Sequence, residues 1–147
     1  MNDGRRRART APPSGMAPPV TAVLPSGSEV DLLPIARDVC ARYAAEYPDE
    51  RERYGDAGRA WCVHDNQHLL NWAVLDVRGE VSLDEQVAWL GGVLEARQFP
   101  LDRLARNLDL DAAVVRERLG AGDETAAVAA ALERAAAMVR ERGGFLE

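Results

Sequence analysis

The chain has 147 residues, of which 47% are hydrophobic and only 5% aromatic, so alanine, valine and leucine must supply most of one small core. All 18 basic residues are arginine, which excludes a Schiff-base lysine and a Walker-type phosphate lysine. Four arginines against one aspartate give the first 28 residues a balance of +3, which leaves −9 on the rest of a chain whose total is −6. That charge repels nucleic-acid backbones, so no nucleic-acid partner is expected.

Residues 1–28 hold five of the eight prolines (Pro12, Pro13, Pro18, Pro19, Pro25) beside Gly15, Gly27 and three serines, which reads as a disordered leader. Met1–Thr10 runs into proline rather than an apolar signal-peptide stretch. No apolar run is long enough for a membrane span, and two cysteines are too few for a disulfide framework, so a cytoplasmic protein is expected. Residues 29–147 read as one helical domain with no strand signal.

Ser28 caps a helix over about 29–47, with Leu32, Leu33, Ile35, Ala36, Val39, Cys40 and Tyr43 inward and Pro48 as its end. After a polar turn at Asp49–Gly58, a long apolar helix spans about 59–78 and stops at Gly79. Ser82 and Glu85 form a capping box for a helix to about Gln98. Pro100 opens a short helix to about Asn107, and Asp109 or Asp111 caps another through Leu119. Gly120 and Gly122 break the chain, Asp123 caps, and a last helix covers Ala126–Arg142 until Gly143 and Gly144. The result is an all-α bundle of about five to six helices.

Chemistry concentrates in Trp61-Cys62-Val63-His64-Asp65-Asn66-Gln67-His68-Leu69. At 100° per residue Cys62, Asp65, Asn66 and Leu69 share one helix face, while His64, His68 and Asn71 lie nearly opposite. His64 and His68, four apart, can both ligate a metal, and His64-Asp65-Asn66-Gln67-His68 is near the zincin spacing, with aspartate for glutamate as base. There is no third histidine to complete such a site. The simpler expectation is a half-exposed surface for both histidines, at a subunit contact, and a small buried hydrophobe for Cys62. Trp61, Trp72 and Trp89 are expected to fill the core more readily than to line a cavity.

The stretch Gly58-Arg59-Ala60-Trp61-Cys62-Val63-His64-Asp65 resembles the bilin-attachment region of phycobiliproteins, in which glycine, cysteine and aspartate follow in this order. The resemblance continues weakly over about residues 57–142, through the Gly79 turn, the proline-started helix and the alanine-rich last helix. It implies a globin-like fold, with Cys62 as the thioether point of an open-chain tetrapyrrole and Asp65 as acceptor for pyrrole N–H groups. His64 then stands where the family places an arginine for a propionate, flanked by Arg59, Trp61 and His68. Globin-like domains also act as sensors without a chromophore, and residues 83–119 contain no histidine for globin-type haem ligation.

The leading expectation is therefore a non-enzymatic, globin-like sensor or protein-interaction domain, working as a homo-oligomer or with a signalling partner. The alternatives are a bilin or other tetrapyrrole carrier attached at Cys62, and a metal-dependent hydrolase built on His64 and His68.

Overall fold

The computed structural model describes residues 17–146; most of the leader, residues 1–16, lies outside them. The fold is all-α, with five helices and one two-stranded hairpin among the described residues. The hairpin pairs β1 (Thr21–Val23) antiparallel with β2 (Glu29–Asp31), Ala22 opposite Val30. This corrects two expectations: strands are present, and the leader drawn to residue 28 already contains core residues, since Ala22 and Leu24 are buried. The turn at Gly27 (φ 97°) needs the left-handed backbone that glycine tolerates. Gln67 Nε2 donates to Pro19 O at 3.0 Å and Arg78 Nη1 to Val23 O at 3.1 Å, fastening the hairpin to the bundle.

Helix α1 (Leu32–Glu46) follows β2 directly and buries Leu32, Ile35, Ala36, Val39, Cys40 and Tyr43 of the expected inward stripe, while Leu33 is only half-buried. Helix α2 (Asp49–Val77) begins ten residues earlier than expected. The predicted polar turn is its first stretch, bent at Gly55 (φ 62°, ψ −152°), with Asp49, Glu50 and Glu52 favourably placed at the positive end of the helix dipole. From residue 49 to residue 65 nothing in α2 is buried; the buried run starts at Asn66.

Helix α3 (Leu83–Ala96) starts at the expected cap, Ser82 Oγ accepting from Glu85 N at 3.3 Å. Helix α4 (Leu101–Leu119) is continuous where two short helices were expected. Asp109 and Asp111 are not caps: Asp109 accepts from Arg140 at 2.6 Å, and Asp111 is fully buried, while Leu104, Leu108, Ala112 and Val115 keep one apolar stripe running through. Helix α5 (Asp123–Arg142) packs Val128, Leu132, Ala135, Ala136 and Val139 into the core, with α4 as its main neighbour, and ends at Gly143 in the left-handed conformation. Alanine on this face lets the two backbones approach closely. Among the described residues no helix is long and apolar enough to cross a membrane.

Candidate functional site

The four residues predicted to share a face of α2 do so, and that face looks inward. Cys62, Asp65, Asn66 and Leu69 line one interior cavity of about 60 Å³, together with Tyr43 of α1, Leu90 and Leu94 of α3, and Leu104 and Asn107 of α4. Trp61 also borders it, whereas Trp72 packs against the core and Trp89 is 47% exposed, so the three tryptophans have three different settings.

Cys62 is not an isolated small hydrophobe. Its sulfur is bonded to that of Cys40, the Cα atoms being 6.1 Å apart, an ordinary span for a bridge. This ties α1 to α2 just where the buried part of α2 begins. Asn66 lies against the bond: its Nδ2 is 3.4 Å from each sulfur and donates to Cys62 O at 2.9 Å. The same Nδ2 donates to Asn107 Oδ1 at 3.1 Å, and Asn107 Nδ2 donates back to Asn66 Oδ1 at 2.7 Å and on to Asp111 Oδ2 at 3.2 Å. A polar seam thus runs from the disulfide through two amides to a carboxyl group.

Asp111 is the buried end of that seam. Its Oδ1 has no hydrogen-bond partner among the described residues, and burial pushes its carboxyl well above the ordinary carboxylate range. Asn107 and Asp111 were missed in the sequence, although polar residues four apart on the Leu104–Leu108 face of an amphipathic helix were a readable signal.

Asp65 is raised as well, by burial, against a weaker pull downward from His64. His64 Nδ1 and Asp65 Oδ1 are 3.8 Å apart. His64 and His68 do stack along the other side of α2, ring centroids 4.9 Å apart, and His68 continues to Trp72 at 5.7 Å. They are not half-exposed: His68 is buried and the His64 side chain nearly so. Among the described residues no three His, Cys, Asp or Glu side chains gather as a metal set, so this pair lacks a third ligand.

Arg59 faces a separate hollow of about 490 Å³ between α1 and the start of α2, together with Arg51, Tyr54, Gly58 and both cysteines. Glu50 is committed nearby: it accepts from Tyr43 Oη at 2.9 Å and from Arg103 at 2.7 Å, and burial followed by the Glu50 charge pushes the Tyr43 phenol upward.

Cys62 has no thiol to form a thioether while it is bonded to Cys40. No protein-family model, no curated protein and no solved structure matches this chain.

Proposed function

We propose that the chain is a non-enzymatic sensor domain in which the Cys40–Cys62 pair is the sensing element. The observation that carries this reading is the position of the bond: it anchors a stretch of α2, residues 49–65, in which no residue is fully buried. Reduction by a small thiol or dithiol delivers two electrons and two protons, breaks the Sγ–Sγ bond and leaves two thiols and the donor's disulfide. Both cysteines border the 490 Å³ hollow, and Arg51 and Arg59 on its wall favour an approaching thiolate. Loss of the bond frees the start of α2, and the Asn66–Asn107 amides carry the change to α4.

The expected cytoplasmic setting belongs to the same proposal, since a disulfide there is characteristically transient and redox-sensing. So does the output, a contact with a second copy or a signalling protein, for which Trp89 is the exposed aromatic side chain on the helices. The globin-like, phycobiliprotein-related character rests on the Gly58-to-Asp65 resemblance alone.

The test is equilibration of the full chain in glutathione buffers, with thiols counted by alkylation mass shift and helicity followed by far-ultraviolet circular dichroism. The reading expects reversible reduction of a chain that stays helical. A bond reduced only after the chain has been unfolded would make it a fixed staple and remove the sensing role.

A further inference from the structure

The geometry points to the inner cavity as a binding site for a small methylated ammonium group, an inference that does not depend on the redox reading. Four aromatic rings border one void: Tyr43 from α1, Tyr54 and Trp61 from α2, and Phe99 from the link between α3 and α4. Rings converging on a small space offer their negative faces to a cation, an attraction that strengthens away from water. The face of Trp61 already takes one cation, the guanidinium carbon of Arg97 lying 5.0 Å from its centroid.

The charge inside the void has one sign. Asp65 and Glu50 both line it, and no basic side chain does. Glu50 is held by Tyr43 and Arg103. Asp65 has neighbours of opposite sign in His64, whose Nδ1 is 3.8 Å from its Oδ1, and the more distant Arg97, both favouring its carboxylate form, and its side chain keeps 16% exposure. An anion placed here meets two carboxylates, and a neutral apolar group strips water from Asp65 while returning nothing. A cation answers both the carboxylate and the rings.

Size narrows the class further. The cavity of about 60 Å³ holds roughly four water-sized groups, which suits the four heavy atoms of trimethylammonium and excludes a bulky amine. An adjoining hollow of about 390 Å³ shares Tyr54, Gly58, Trp61 and Phe99 with the cavity. Arg53 and Arg97 lie on the wall of that outer hollow only, so a substituent on the ammonium that carries an anion would be accommodated outside while its head sits inside.

The experiment titrates the oxidised full chain with trimethylammonium chloride and follows the three indole N–H resonances. Sodium chloride serves as the ionic-strength control and tert-butanol, three methyl groups on one uncharged centre and one heavy atom larger, as the neutral control. The Trp61 resonance should shift saturably while Trp72 and Trp89 stay fixed. Asp65→Asn and Tyr54→Leu should each weaken binding by about tenfold, and Trp89→Phe should leave it unchanged. No saturable shift, an equal response to tert-butanol, or full binding by a folded Asp65→Asn variant would overturn the site. Tyr54 is only half-buried, so the Tyr54→Leu arm decides the matter if Asp65→Asn does not fold.

Discussion

Asn66 and Asn107 exchange two amide hydrogen bonds across the α2–α4 interface, at 3.1 and 2.7 Å, with both side chains buried. Each satisfies the other, so the pair helps fix the register of two helices that Arg103 also joins through Asp49 and Glu50 at the start of α2. Removing one member strands the other: Asn107→Leu should cost about 2–3 kcal/mol in urea unfolding. The Asn66→Leu, Asn107→Leu double variant should cost less than the sum of the single variants, because neither amide is then left unpaired. Strictly additive costs would show the pair to be uncoupled.

Asp111 sets a pH dependence of definite sign. Its folded carboxyl holds a proton more tightly than the unfolded chain does, so its contribution to stability is fully present below the ordinary carboxylate range and is lost as pH rises through the folded value. Asp111→Asn removes that titration. Melting temperatures measured from about pH 4 upward to neutral should therefore move in favour of the variant over wild type. A difference that does not change with pH would contradict the burial account of this residue.

Gly91 makes room for the C-terminal turn. A Cβ there would meet two ring carbons of Phe145 at 2.6 Å, and the backbone N–H groups of Phe145 and Leu146 donate to Glu95 Oε1 at 2.7 and 3.0 Å. Because the obstruction is the end of a side chain, Gly91→Ala should displace Phe145 and cost only about 1 kcal/mol. Carboxypeptidase trimming of residues 145–147 should then accelerate; unchanged trimming would mean the ring does not pack on Gly91.

The bilin reading has a direct readout in colour. Chain purified from cells making biliverdin or phycocyanobilin should show no covalent visible band, since Cys62 is bonded to Cys40. A band that persists in denaturant and vanishes in Cys62→Ala would reverse that conclusion.

The helices were legible where apolar spacing and end signals agree, as in α3 with its Ser82 cap and α5 with its Gly143 stop. The inward face of Cys62, Asp65, Asn66 and Leu69 followed from helical geometry alone. The hairpin escaped notice because three-residue strands among prolines and serines carry too little alternation to register. Asp109 and Asp111 look like caps until tertiary partners are known, and here Arg140 and burial override that local preference. Cys40 and Cys62 each belonged to an inward face, but their pairing depends on how α1 crosses α2, which no local pattern states.

Hydrogen exchange read by mass spectrometry on the oxidised and dithiol-reduced chain tests the sensing role most directly. The bond closes a loop with a sequence separation of 22 and is worth about 3 kcal/mol by chain entropy. Reduction should speed exchange in residues 49–65 of α2 and at the end of α1, leaving α5 protected. Identical exchange in the two forms, or loss of protection throughout the chain, would contradict a local switch at Cys40–Cys62.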